Sequence, residues 1–169
     1  MLKPHEILAR LSPAFSDQFF NYLRTEEPKL YKATIETLAK QRKFRTVFIE
    51  QKQPPQRHAW MKEALGRAQN ESVAAHLLQI FFVGGHSAVL CDFLDALGIK
   101  HDANGTIEQM PPAPDKAALQ KAVDTLLAKH DPALVVTYLH AFQALDEAGG
   151  WSTLDALLAE DPRLKLQAA

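Results

Sequence analysis

Apolar side chains recur at intervals of three and four through most of the chain, the spacing that lines one face of an α-helix. Pro4 can occupy the first turn of a short helix carrying Ile7, Leu8 and Leu11. Ser12–Pro13 pairs a capping residue with the imino acid tolerated at the first helical position, and Phe15, Phe19, Phe20 and Leu23 follow in register. Pro28 opens a third helix, with Leu30, Tyr31, Ile35, Leu38 and Ala39 on its inner side. Residues 44–50 satisfy both a helical and a strand pattern. Helix is the expectation, because no second strand exists for them to pair with.

Gln53-Pro54-Pro55-Gln56 breaks the pattern and is the expected hinge between the front of the chain and the rest. A helix bearing Trp60, Met61, Ala64 and Leu65 follows, and Asn70 is the expected cap of the next. From Val73 to Val83 only His76 and Gln79 interrupt an apolar run, so that helix should lie within a core or against a partner. Gly84–Gly85 should close it in the left-handed conformations open to glycine, with Ser87 capping a helix over Val89, Leu90, Phe93, Leu94 and Leu97 that Gly98 stops. Asn104–Gly105 signals a tight turn, and Pro111, Pro112 and Pro114 an extended linker. Asp115 and Asp131–Pro132 each start a helix, the second one apolar from Ala133 to Leu145, and Gly149–Gly150 separates it from a last helix with Trp151, Leu154, Leu157 and Leu158.

The pattern therefore predicts an all-α bundle of about 7–9 helices in one domain over 1–169. It divides into basic N-terminal helices (1–52), a repeat-like unit (56–98), a proline-containing linker (99–114) and a second repeat-like unit (115–162). Each unit reads as helix, cap, apolar helix, glycine pair and LDAL, at Leu94–Leu97 and Leu154–Leu157. Chance resemblance and duplication both remain open. Duplication would give two stacked three-helix repeats, solenoid-like, a shape that offers grooves to partners.

Composition changes this picture little. Apolar content of 47% and charged content of 23% are those of a globular chain, and one cysteine, Cys91, excludes an intramolecular disulfide framework. No stretch is apolar for a spanning length, so no membrane role is expected and cytoplasm is the expected compartment. Charge alters more. Residues 1–67 carry 13 Lys or Arg against 7 Asp or Glu, and residues 68–169 carry 6 against 13, giving +6 and −7. Such a split can serve an anionic partner, packing between the halves or head-to-tail self-association.

Candidate chemistry is sparse. Seven histidines are scattered, with no pair at the spacing that sets two metal ligands on one helical face. Gly84-Gly85-His86-Ser87 lacks a nucleophile elbow, no glycine-rich phosphate loop is present, and residues 100–111 lack the first and last ligands of a calcium loop. The expectation is a protein-interaction or scaffold domain whose partner is another protein or the chain itself, in a homo-oligomer, more a binder than an enzyme and without a cofactor. One alternative is an anion- or nucleic-acid-binding module using segment 40–67, through Lys40, Arg42, Lys43, Arg45, Lys52 and Arg57, with Phe44 facing inward. A second is a small-molecule or enzymatic pocket between the repeat-like units, lined by His76, His86, Tyr138 and His140.

Overall fold

A computed structural model describes residues 1–146 and 150–166. Among these the chain is all-α, with no strand. Ten α-helices follow in order: α1 (Pro4–Ala9), α2 (Pro13–Glu26), α3 (Pro28–Gln41), α4 (Thr46–Glu50), α5 (Pro54–Leu65), α6 (Glu71–Gln79), α7 (Ser87–Ala96), α8 (Lys116–Lys129), α9 (Pro132–Leu145) and α10 (Ser152–Glu160). Residues 46–50 are thus helical, as the lack of a partner strand requires. No single helix among the described residues is long and apolar enough to cross a membrane.

Local signals set most of the boundaries. Ser12 accepts the Phe15 N–H, Asp115 the Ala118 N–H, and Asp131 those of Ala133 and Leu134, so each satisfies first-turn donors that a helix leaves open. Proline is the first residue of α2, α3, α5 and α9. Gly98 (φ 69°) ends α7 in a Schellman motif, the Ile99 N–H reaching the Leu94 carbonyl at 2.9 Å and the Gly98 N–H that of Asp95 at 3.0 Å. Gly149 lies outside the described residues; Gly150 takes φ 69°.

Packing divides the chain into two compact units, Pro4–Leu77 and Leu78–Leu166, the latter joined by Met1–Lys3. In the first, α2 packs on α3 and α5, α1 on α5, and α3 on α4 and α5. Ile7, Leu8, Phe19, Phe20, Leu23, Leu38, Met61 and Leu65 form its fully buried centre. Because α5 is bound into this unit, residues 53–56 start a helix and are not a hinge. In the second unit α8, α9 and α10 pack mutually and α7 lies on α8 and α9. The boundary at Leu77/Leu78 falls inside the expected unit 56–98.

Three local expectations are corrected. Asn70 does not cap α6. It ends a short 3-10 turn (Ala68–Asn70) and is buried, its Nδ2 donating to the Ala64 carbonyl and its Oδ1 accepting from Gln41 Nε2, both at 2.8 Å. Gly84 and Gly85 do not adopt left-handed φ; they complete a π-helical turn, Ile80–Gly85, whose wider coil ends the run. Ser87 is the first residue of α7 rather than its cap, a position held by His86.

The linker is fastened by its carbonyls. Trp151 Nε1 donates to the Pro111 carbonyl at 2.9 Å and Thr153 Oγ1 to that of Pro114 at 3.0 Å. Gly105 (φ 75°) sits against α7, where a Cβ would fall 2.4 Å from that of Leu90.

Candidate interaction surface

The end of α3 and the whole of α4 build the most distinctive surface. Helix α3 closes in a second Schellman motif: the Phe44 N–H reaches the Ala39 carbonyl at 2.9 Å and the Lys43 N–H that of Lys40 at 3.1 Å. The residue in the left-handed position is Lys43 (φ 56°), where glycine is usual. For a residue with a Cβ this conformation costs about 1–2 kcal/mol. The turn leads Phe44 onto the surface, 48% exposed, and starts α4 so that Ile49 is buried while Val47 and Phe48 stand 45% and 58% exposed. With Met1 these three are the exposed large apolar side chains among the described residues.

Helix α4 is too short to be stable alone. Arg57 of α5 holds its C-terminal end, the guanidinium donating to the carbonyls of Ile49 (3.2 Å), Glu50 (2.5 Å) and Lys52 (2.8 Å). Arg42 lies 5.9 Å from the centre of the Phe44 ring and 3.2 Å from Glu63. Of the six cations expected to bind anions, Arg42 and Arg57 are thus engaged within the molecule. Lys40, Lys43, Arg45 and Lys52 are exposed and form no ion pair among the described residues. Glu50 is the one carboxylate within residues 40–52. Phe44, Val47 and Phe48 are thus an exposed apolar knob in a segment, residues 40–52, that also carries these four cations.

Phe44 was expected to face inward, because the spacing of Phe44, Val47 and Phe48 reads as an inner helical face. The break at Lys43 resets the helical phase, and Ile49 alone of α4 turns to the core. The signal available in the sequence was the density of cations around that apolar triplet.

A groove of about 580 Å³ lies in the same unit, lined by residues including Asp17, His58, Lys62 and the small side chains Ala9, Ala14 and Ala59. His58 is buried, with Nδ1 2.5 Å from Asp17 Oδ1 and Nε2 3.0 Å from the Tyr31 hydroxyl. Asp17 can only accept, so Nδ1 carries the proton and Nε2 accepts from Tyr31. Burial pulls the His58 pKa below the usual value, outweighing the opposite pull of Asp17. Burial also lowers that of Lys62, whose ammonium donates to the Leu11 carbonyl. This acid–imidazole–hydroxyl line ends on a phenol that is itself buried, so it offers no open nucleophile.

The four residues expected to line a pocket have different surroundings. His76 is exposed on α6. In the Leu78–Leu166 unit, the His86 ring packs 4.4 Å from that of Phe81, and burial, helped by His130, lowers its pKa. Tyr138 is wedged between Phe82 and Phe93, 5.5 and 5.6 Å away, and burial raises its pKa strongly. His140 Nε2 meets the Leu164 carbonyl at 3.0 Å. Tyr138 borders an open groove of about 430 Å³ that also includes Gln79, Val83, Met110, Phe142, Leu145 and Asp146.

Among the described residues no three His, Cys, Asp or Glu are grouped to hold a metal ion. Asp102, in the turn that resembles part of a calcium loop, uses Oδ1 to accept the N–H groups of Asn104 and Thr106, both at 2.8 Å. Comparison with family models, with curated proteins and with solved structures finds no match to this chain, so its chemistry alone bears on its role.

Proposed function

We propose that this chain is a helical protein-interaction module that engages its partner through the knob formed by Phe44, Val47 and Phe48. The observation that carries the reading is the concentration of exposed apolar side chains in one five-residue span. Single exposed apolar residues are ordinary on protein surfaces; clustered ones rimmed by charge mark contact sites. Full burial of one Val or Phe contributes about 1.5–3 kcal/mol. Roughly half of each remains to be buried here, so the triplet supplies on the order of 3 kcal/mol. The four unpaired cations add steering and select a partner with carboxylates around an apolar recess.

Selection from a displayed random-peptide library tests this. The peptides recovered should combine Asp or Glu with apolar residues, and should lose at least tenfold in affinity for a Phe44→Ser/Phe48→Ser variant that keeps the wild-type helical circular dichroism. Peptides without that character, or ones that bind the variant equally, would remove the reading. The same four cations support an anion-binding alternative. Fluorescence anisotropy with random-sequence DNA at about 50 mM salt decides it, because phosphate-driven affinity is greatest at low salt. Binding that survives Phe44→Ser/Phe48→Ser and vanishes in a Lys43→Gln/Arg45→Gln variant would give the surface to nucleic acid.

A further inference from the structure

We infer that the partner of the knob is a second copy of this chain, whose Leu78–Leu166 unit receives Phe44, Val47 and Phe48 in the groove bordered by Met110, Tyr138 and Phe142. This rests on the proposed use of the knob and adds the identity of the occupant.

Three observations support the pairing. The groove offers apolar side chains to the apolar knob, Val83, Ile107, Met110, Phe142 and Leu145 among them, beside the polar Gln79 and Thr106. Val83, Met110, Phe142 and Leu145 are only partly buried, whereas Tyr138 is 3% exposed. The partly exposed Phe142 ring can meet a phenylalanine edge to face, and the Met110 thioether can adapt to its neighbour. At about 430 Å³ the groove falls within the range of about 300–1,000 Å³ that holds ligand-sized groups. Charge is complementary as well. Asp146 lines the groove and no Lys, Arg or His does. Residues 78–166 carry 6 Lys or Arg against 12 Asp or Glu, a net −6, while the segment that carries the knob also holds Lys40, Lys43, Arg45 and Lys52. Finally, the knob is exposed in the single chain, so its apolar surface remains to be covered from outside.

Among the described residues the knob and the groove lie on different side chains of the same copy. The contact is therefore heterologous, and successive copies form an open chain or close into a ring. Three side chains and their rim fall well short of the roughly 800 Å² per partner of a standard interface, so association is weak and reversible. It weakens with salt, since exposed charges are screened within about 10 Å at 0.1 M.

Sedimentation velocity of the full chain, from about 10 µM to about 1 mM, tests the inference over the range of micromolar to millimolar affinity. The wild type should gain mass with concentration and lose that gain several-fold on going from about 50 mM to about 500 mM salt. Two variants should each remain monomeric: Phe44→Ser/Phe48→Ser, which removes the knob, and Met110→Lys, which sets a cation in the groove. Ile107→Lys, on the same loop, serves if Met110→Lys changes the circular dichroism. Mixed together, the knob variant still offers a groove and the groove variant still offers a knob, so the mixture should form a two-chain species and nothing larger. A wild type monomeric throughout, a variant that associates as the wild type does, or a mixture that stays monomeric would each overturn the self-association. If it is overturned while acidic peptides still bind the wild type and fail on the knob variant, the knob remains the contact surface and only its occupant is wrong. If those peptides bind the knob variant equally, the surface itself is wrong.

Discussion

Replacing Asn70 by Asp separates two roles that the sequence alone leaves merged. At a helix N-cap the two residues are nearly equivalent, and a carboxylate there also suits the positive end of the helix dipole. A capping role thus predicts no loss of stability, or a small gain. The structure predicts the opposite. Asn70 is 1% exposed, and its amide nitrogen donates to the Ala64 carbonyl at the end of α5. Aspartate retains the acceptor for Gln41 but has no donor for Ala64, and places a carboxylate oxygen against a carbonyl in a buried position. The lost bond costs about 1 kcal/mol and the unpaired buried acceptor about 1–3 more, partly offset by a stronger bond from Gln41. A net loss of about 2–3 kcal/mol follows, or about 5–10 °C in melting temperature for a chain of this size. pH gives a second readout. The native site favours the neutral acid, which has an O–H to donate to Ala64, so the folded pKa of the introduced group lies above the unfolded value of about 3.9. The unfolded state is then the first to ionise as pH rises. The penalty should be small near pH 4 and grow towards neutrality. Calorimetry of wild type and variant at pH 4.5 and 8 measures both. A variant within 0.5 kcal/mol of wild type at pH 8, or a penalty that shrinks as pH rises, would refute the clamp.

Lys43→Gly should raise stability by about 1 kcal/mol in urea titration, because glycine takes φ 56° without the steric cost that lysine bears. Gly105→Ala should lower it by about 2–4 kcal/mol in the same assay. A methyl there meets Leu90 Cβ at 2.4 Å on a backbone of φ 75°, so overpacking and left-handed strain add. The depressed His58 pKa means that the unfolded chain takes up its proton first as pH falls below about 6.5; stability from this group is complete above that value and declines below it. His86 acts with the same sign and His101, whose pKa is raised by its bonds to Asp102 and Asp95, with the opposite one. An NMR titration of the His58 ring isolates its share, and a midpoint at or above 6.5 would contradict the burial argument.

Where a helix begins proved readable because the signal is local. Ser12, Asp115 and Asp131 satisfy donors two or three residues away, and proline fixes its own φ, so no knowledge of the rest of the fold is needed. Gly98 is readable for the same reason. Asn70 is not. An asparagine before an apolar run has the composition of a cap, yet its partners, Gln41 and Ala64, are brought to it by the packing of α3 and α5, which one-dimensional spacing does not contain. Gly84–Gly85 fails in a related way, since a glycine pair permits left-handed closure without requiring it, and here the chain takes a π-helical turn with neither glycine at positive φ.

The knob was hidden by one residue. Had position 43 held glycine, the end of α3 would have been marked and Phe44 would have been read as lying beyond it. A lysine in the left-handed position leaves the helical pattern unbroken on paper while breaking it in space, and the apolar triplet is then assigned to a core it does not enter. The strain at Lys43 lies next in sequence to the exposed Phe44, Val47 and Phe48. A turn that served only to end α3 would gain about 1 kcal/mol from glycine and lose nothing. Keeping a cation there forgoes that stability and adds one more charge beside the knob, a trade that the proposed contact with an acidic partner would explain.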